Sequence, residues 1–218
     1  VYNTASGSGS LEASDFALSL SGGSASLASS IPSSISASGN VYTLGIGFTG
    51  TPNGGETPTV SPVDDGIFDL VGNEAATSQS NNTATLNDQL SPTIALTVAN
   101  GSGAAVSSGS STNDATLVLT LTSSESTTNL NYTDVTVTGG SVSGFSGSGA
   151  TYTATFTPSA DGATTVDVAA GAFTDAAGNA NTAATQFTWT YDGTAATITS
   201  TTLASNNSSI NVTISEAV

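Results

Sequence analysis

Apolar and polar residues alternate along nearly every regular stretch of this 218-residue chain. The alternation is clearest at residues 16–20, 117–121, 187–191 and 210–214. A period of two residues places successive side chains on opposite faces of a β-strand. The pattern therefore predicts short, half-buried strands, and no stretch has a helical period of useful length.

Clusters of Gly, Asn, Asp and Ser separate the predicted strands, for example at residues 21–23, 51–55, 138–140 and 159–162. Thr and Val dominate the strands themselves, as expected of residues on a pleated surface. Short strands with a turn about every 8–12 residues are typical of a β-sandwich. The sequence therefore predicts an all-β fold built from sandwiches.

Two long segments, residues 42–88 and 152–192, repeat one pattern. Each begins with a strand led by a tyrosine, passes through a D-x-x-G-N corner and closes with a strand that ends in Asp. The corners consist of Asp69, Gly72 and Asn73 in the first segment, and of Asp175, Gly178 and Asn179 in the second. The chain is thus expected to hold two related domains.

The strands that precede the second segment have counterparts at the other end of the chain. PTIALTV and DATLVLTLTSSES come before residue 152, and the similar ATITSTTL and SSINVTISEA lie within residues 194–218. The sequence predicts a complete domain at residues 91–193 and a domain at residues 1–88 that lacks its first two strands. Residues 194–218 are predicted to be the first two strands of the next unit's domain.

An adjacent unit would therefore complete the first domain, in one of two ways that the sequence leaves open. The units are covalently continuous within one giant chain, or they are separate filament subunits that donate residues 194–218 to a neighbour. Both arrangements predict that the partners are copies of this chain joined head to tail.

The composition excludes several classes of function. The chain has sixteen acidic residues, a formal charge of −16, and no Lys, Arg, His, Cys or Met. Nucleic-acid binding relies on basic residues that neutralise phosphates, so none is expected. Ser–His and Cys–His pairs, Schiff-base lysines and His or Cys metal sites are impossible. Only carboxylates remain as acid–base groups, and we predict that the protein is not an enzyme.

No segment approaches the roughly 20 apolar residues of a membrane-spanning helix, so membrane insertion is not expected. A surface this acidic suits a salty or calcium-containing medium, in which charge repulsion is screened. We therefore expect an extracellular or cell-surface location.

The string from DATLVLTLTSSES to TQFTWTYD resembles the bacterial immunoglobulin-like (Ig-like) repeats of giant cell-surface adhesins and appendages of marine bacteria. ISEAV together with LEASDFALSLSGG and TPNGGETPTVSPV resembles the companion repeat. The resemblance implies two Ig-like β-sandwiches in tandem that act as a structural repeat of an extracellular filament, stalk or surface appendage. The alternative is an adhesin repeat that itself binds a glycan or a surface. One departure is that Thr83 and Thr85 stand where the second domain has Phe187 and Trp189.

Recurring acidic residues are the strongest candidates for a binding site. They are Glu125, Asp134 and Asp175 in one domain, and Glu216, Asp15 and Asp69 at the matching positions of the other. Three carboxylates that converge with backbone carbonyls suit Ca²⁺, which takes six to eight oxygen ligands. In the alternative interpretation the aspartates of the D-x-x-G-N corners form tight turns. No cofactor is required under either interpretation.

Two further groups of residues remain ambiguous. Glu56, Asp64 and Asp65 form a dense acidic cluster, which we interpret as an acidic loop tip because nothing nearby suggests a catalytic cleft. Phe187, Trp189 and Tyr191 share one strand face. They would either stack against a carbohydrate or pack into the core of the sandwich.

Overall fold

The structure is a computed structural model and describes residues 1–216. It divides into two compact units, Val1–Leu90 and a second that begins at Ser91. Within the described residues the regular elements are strands and two short 3₁₀ helices, Ala13–Asp15 and Tyr132–Asp134. The prediction of an all-β protein is confirmed.

The first unit contains six short strands arranged as three two-stranded antiparallel sheets. The strands are β1 (Phe16–Ser21), β2 (Ser26–Leu27), β3 (Ser34–Ser38), β4 (Val41–Gly45), β5 (Phe48–Thr49) and β6 (Thr57–Pro62). β1 pairs with β6, β2 with β5 and β3 with β4. Its buried apolar residues are few: Leu11, Leu18, Ala25, Ile67 and Phe68.

The second unit contains a sandwich of two four-stranded sheets. Its strands are β7 (Ile94–Asn100), β8 (Ala105–Val106), β9 (Ser111–Thr112), β10 (Leu117–Thr127), β11 (Val135–Thr138), β12 (Gly140–Pro158), β13 (Gly162–Val168) and β14 (Phe187–Tyr191). One sheet has the order β12-β10-β7-β8 and the other β11-β13-β14-β9. The pairings are antiparallel except for β14 with β9, which is parallel.

A single apolar core fills the space between these two sheets. Alternate residues of β10 point into it, so Leu117, Leu119 and Leu121 are buried while Val118 is exposed. Phe156 meets Trp189 edge to face with ring centroids 4.7 Å apart. The alternation in the sequence therefore predicted correctly which face of β10 is buried.

The last two strands, β15 (Ile198–Leu203) and β16 (Ile210–Ile214), form an antiparallel hairpin. Every residue of both strands is exposed. The two strands predicted from ATITSTTL and SSINVTISEA are therefore present, at Ile198–Leu203 and Ile210–Ile214. Ala217 and Val218, which belong to the predicted segment 194–218, lie outside the described residues.

Candidate functional site

The β15–β16 hairpin reproduces the hydrogen bonds at one end of the β7–β10 pair, but its register shifts between Ile198 and Ser200, where the β7–β10 register is continuous. At the start of β7, Ser124 N donates to Thr93 O (2.9 Å) and Thr93 N donates to the Ser124 hydroxyl (2.9 Å). In the hairpin, Ser215 N donates to Thr197 O (2.8 Å) and Thr197 N donates to the Ser215 hydroxyl (2.9 Å). Thr197 and Ser215 are therefore the structural equivalents of Thr93 and Ser124.

This equivalence aligns β16 with β10 residue by residue. Counting back from Ser215 and Ser124, Val212 corresponds to Leu121 and Ile210 to Leu119. Leu119 and Leu121 are 1% and 0% exposed in the second unit, whereas Ile210 and Val212 are 64% and 50% exposed. The hairpin carries the residues of a sandwich core without the rest of the sandwich around them.

The apolar residues of the hairpin lie on one face. Directly opposed residues of an antiparallel pair share a face, as do alternate residues of one strand. Ile198 is opposite Ile214, and Leu203 is opposite Ile210. These four side chains and Val212 are all exposed. They form a continuous apolar surface, which we call the hairpin face.

The first unit has an open strand edge with a cleft beside it. β4 pairs only with β3 among the described strands. In the second unit the matching strand, β12, pairs with β10. A cleft of about 260 Å³ in the first unit is lined by Leu11, Ile35 and Tyr42, among others. We call this the β4 cleft.

Tyr42 of β4 is the structural equivalent of Tyr152 of β12. Each tyrosine follows by three residues a glycine with a positive φ angle: 61° at Gly39 and 66° at Gly149. Tyr152 is buried in the core of the second unit, while Tyr42 is only half-buried. The difference fits the absence of a β10-like neighbour on β4 within the described residues.

The two aspartates of the D-x-x-G-N corners form the same turn. Asp69 Oδ1 accepts from the backbone N–H of Asn73 (2.8 Å), and its Oδ2 accepts from the Asn73 side chain (2.7 Å). Asp175 makes both bonds with Asn179, at 2.9 and 2.8 Å. These hydrogen bonds support the interpretation that both aspartates form tight turns.

Both corner carboxyls have lowered pKa values. The hydrogen bond from the Asn73 side chain is the largest cause of the lowered pKa of Asp69. Burial raises the pKa of Asp175, but the hydrogen bonds that it accepts from Asn179 and its neighbours outweigh burial, so the net shift is downward. Hydrogen bonds to a carboxylate favour the charged form. Both corners are therefore held together by ionised side chains.

Asp15 and Asp134 cap the N-terminal ends of the two 3₁₀ helices. Asp15 Oδ2 accepts from the N–H of Glu12 (2.7 Å), and Asp134 Oδ2 accepts from the N–H of Asn131 (2.8 Å). A side chain that reaches back to the N-terminal cap in this way is half of a capping box. The pair is thus another structural element that the two units share.

Glu125 and Asp175 are the predicted ligands that the structure brings together, because each offers a carboxylate oxygen within 4.8 Å of the other. A β-bridge between Thr127, at the end of β10, and Asp175 explains this proximity. The other predicted ligands are Asp134, Glu216, Asp15 and Asp69. Within residues 1–216, none of these four belongs to a group of three carboxylates whose oxygens lie within 4.8 Å of one another. Calcium binding stays a prediction, and Glu125 and Asp175 are its best-placed residues.

Glu56 is not part of an acidic loop tip, so that interpretation was wrong. Its side chain is fully buried, unlike Asp64 and Asp65, which are exposed. Its Oε1 accepts backbone N–H bonds from Ser24 (2.7 Å) and Ala25 (2.9 Å).

Hydrogen bonds also govern the ionisation of Glu56. Asn53 N approaches both of its carboxylate oxygens, at 3.2 and 3.1 Å. The bond from Ala25 is the largest cause that lowers the pKa of Glu56 from 4.5 to about 2. The buried carboxylate thus ties together two loops of the first unit.

The aromatic strand is part of the core. Trp189 is 2% exposed and Phe187 is buried beside it, with ring centroids 6.0 Å apart. Only Tyr191 is partly exposed. Core packing, rather than a carbohydrate platform, is therefore the role of Phe187 and Trp189.

Comparison with known proteins agrees with this geometry. A family model described as the bacterial Ig-like domain matches residues 88–191, a little under half of the chain. The match supports a bacterial Ig-like domain over these residues, and domains of this type are structural modules usually found outside the cell or at its surface. No curated protein and no solved structure matches the chain. None of the helices within residues 1–216 has the length and apolar character to cross a membrane.

Proposed function

We propose that this chain is a structural repeat unit of an extracellular filament, stalk or surface appendage. In this role it spans distance and bears load as part of an array of Ig-like sandwiches that supports adhesion or capture. The observation that carries the proposal is the β15–β16 hairpin. It repeats the first two long strands of the Ig-like domain, with the same hydrogen bonds at one end, and it follows the two four-stranded sheets of the second unit in the chain.

An array follows because the hairpin has an exposed apolar face without a sandwich, and the first unit has an open strand edge. A two-stranded hairpin with an exposed apolar face is marginally stable by itself in water. The first unit has three two-stranded sheets where the second has two four-stranded sheets. If the hairpin of one copy packs against the first unit of the next, the two together form a sandwich. Because each copy has one hairpin and one first unit, the array grows head to tail.

The location and the charge support an extracellular role. The bacterial Ig-like domain at residues 88–191 is of a type usually found outside the cell. The chain has no Lys or Arg, so trypsin-like proteases have no cleavage site in it. Calcium bound near Glu125 and Asp175 would stiffen the array in a medium that contains the ion.

Electron microscopy of intact source cells, labelled without permeabilisation by antibodies against the 218-residue chain, tests the proposal. We expect label at regular intervals along thin extracellular fibres. Label confined to the cell interior, or to a compact body on the envelope, would contradict it. The denatured mass of the labelled material then separates the two forms of the array. A mass near 21.1 kDa indicates separate subunits, and a mass many times larger indicates one tandem chain.

A further inference from the structure

We propose that β16 of one copy pairs antiparallel with β4 of a second copy, in a defined register, and that its hairpin face fills the β4 cleft. This inference rests on the proposed function and names the surface through which the copies join. The occupant of the cleft is a second copy of this chain.

The register follows from the second unit, which shows the completed arrangement. There β10 lies between β7 and β12, with Leu121 opposite Tyr152 and Thr122 opposite Thr151. Val212 is the equivalent of Leu121, and Tyr42 is the equivalent of Tyr152. Transferring the pairing therefore places Val212 opposite Tyr42.

The neighbouring positions follow directly from that pair. Because the strands are antiparallel, Thr213 faces Val41 and Asn211 faces Thr43. The equivalent pairs in the second unit are Thr122 with Thr151 and Thr120 with Thr153. The sheet of the joint then has the order β15-β16-β4, as β7-β10-β12 does in the second unit.

The apolar contacts of the joint follow from the same equivalence. Leu11 precedes the capping box of the first unit as Leu130 precedes that of the second, and both leucines are buried. Leu130, Tyr152 and Leu121 belong to one core cluster. Leu11 and Tyr42 line the β4 cleft, so Val212 would take the place beside them that Leu121 occupies in the complete sandwich.

The direction of the donated strand has independent support. In the second unit β10 ends at Thr127, and two residues later the side chain of Asn129 accepts from Thr174 N (3.0 Å). In the first unit the equivalent N–H, that of Phe68, donates instead to a backbone carbonyl, that of Tyr2 (2.7 Å). Phe68 and Thr174 each directly precede a corner aspartate.

Tyr2 thus occupies, in the first unit, the place that the chain reaches just after β10 in the second unit. Tyr2 also lines the β4 cleft. A strand that runs antiparallel to β4 and has its Glu216 end towards Tyr2 repeats the course of the second unit. This is the direction that the register with β4 requires.

Disulfide cross-linking tests the register, because the chain contains no cysteine of its own. A Thr213→Cys chain is mixed with a Val41→Cys chain, and an Asn211→Cys chain with a Thr43→Cys chain. All four side chains are exposed, so the substitutions leave the buried residues in place. Directly opposed residues lie about 4.5–5.5 Å apart between Cα atoms, within the range that a disulfide spans.

The same four chains in exchanged combinations provide the control. Thr213→Cys with Thr43→Cys, and Asn211→Cys with Val41→Cys, are diagonal pairs about 7–8 Å apart, at or beyond the limit of a disulfide. We expect the matched mixtures to give at least about tenfold more dimer, at twice the 21.1 kDa of one chain, under mild oxidation. Each single-cysteine chain alone gives the background.

Light scattering of the same samples separates failure of this inference from failure of the proposed function. Assemblies that form without a preference for the matched pairs would overturn the register and leave the array standing. A mixture that gives neither assemblies nor a matched cross-link would overturn both. Cross-links that form only within a chain carrying both Thr213→Cys and Val41→Cys would show that the hairpin folds back on its own first unit, which also overturns the inference.

Discussion

β10 and β16 have the same residue pattern and the same hydrogen bonds at one end, but opposite surroundings. β10 lies between two strands over an apolar core, and its inward leucines are buried. Among the described strands β16 pairs only with β15, and its matching residues face solvent. The comparison teaches that a strand's sequence encodes which face is to be buried, whereas burial itself requires partner strands that the strand does not supply.

The two units differ in the same way at their cores. In the second, Phe187 and Trp189 are buried on β14, which pairs with β13 and with β9. In the first, the matching residues are Thr83 and Thr85, and their segment joins β6 through a bridge between Thr59 and Thr83 and through backbone hydrogen bonds such as Ala84 N to Pro58 O (3.2 Å). Apolar burial is the main favourable contribution to folding, so the second unit is expected to be the more stable.

The largest effect is expected from truncating equivalent residues of the two strands. Leu121→Ala leaves a cavity in a packed core and should lower the free energy of unfolding of the second unit by about 2–5 kcal/mol. Val212→Ala removes exposed atoms and should change it by less than about 0.5 kcal/mol in dilute solution. Denaturant unfolding followed by the fluorescence of Trp189, the single tryptophan, reports on this unit.

The same pair of variants should behave in the opposite way in assembly. Val212→Ala is expected to weaken the association of copies, because the proposed joint buries this side chain, whereas Leu121→Ala leaves the hairpin intact. A large loss of stability in the Val212→Ala monomer would contradict the comparison.

The aromatic strand provides the next contrast. Trp189→Ala should cost the second unit about 3–5 kcal/mol. Thr85→Ala, an exposed residue at the matching place in the first unit, should cost less than about 0.5 kcal/mol. Circular dichroism during thermal unfolding measures both. An equal effect of the two substitutions would contradict the difference in burial between Thr85 and Trp189.

Trp189→Phe separates a spacer from a binding module. The indole Nε1 is buried without a hydrogen-bond partner among the described residues, so phenylalanine removes an unsatisfied donor while keeping an apolar ring. We expect the array and any surface attachment to survive this substitution. Loss of attachment with an unchanged melting temperature would favour the binding role.

Acid is expected to weaken the first unit through Glu56. The pKa of this carboxyl is about 2 in the folded chain against 4.5 as its ordinary value, so the folded state binds protons less readily than the unfolded state. The stability it contributes is therefore complete above about pH 4.5 and is lost as the pH falls towards about 2.

The amide proton of Ala25, which donates to Glu56, is the local probe of this effect. Its NMR shift should titrate with a midpoint near pH 2. Glu56→Gln should remove that titration and destabilise the first unit at pH 7. Asp64→Asn, at an exposed carboxylate nearby, should do neither. A midpoint near pH 4.5 would contradict the buried, hydrogen-bonded geometry.

Calcium should have the smallest effect. If Glu125 and Asp175 bind Ca²⁺, the ion should stabilise the second unit by about 1.4 kcal/mol at ten times the dissociation constant. Thermal unfolding with and without a chelator measures the shift. Glu125→Gln should abolish it, whereas Glu216→Gln, at the equivalent place in the unpartnered hairpin, should leave it unchanged in dilute solution. An unchanged melting temperature at millimolar calcium would exclude the site.

Local patterns in the sequence predicted much of this fold. Alternation located β10, β14 and β16, and the repeated D-x-x-G-N corners predicted equivalent turns at Asp69 and Asp175. The capping role of Asp134 was missed, although Asn131-x-x-Asp134 has the spacing of a capping box. Local patterns in the sequence could not predict the burial of Glu56, because its hydrogen-bond partners Ser24 and Ala25 lie 32 and 31 residues away in the chain.

The mass in solution of the intact chain and of a chain without residues 194–218 tests the central claim most directly. Light scattering at increasing concentration should show the intact chain growing from 21.1 kDa into linear assemblies. The shortened chain keeps the second unit's sandwich and should remain a monomer throughout. Equal assembly of both chains, or an intact chain that stays monomeric at every concentration, would contradict the claim that the hairpin of one copy completes the first unit of another.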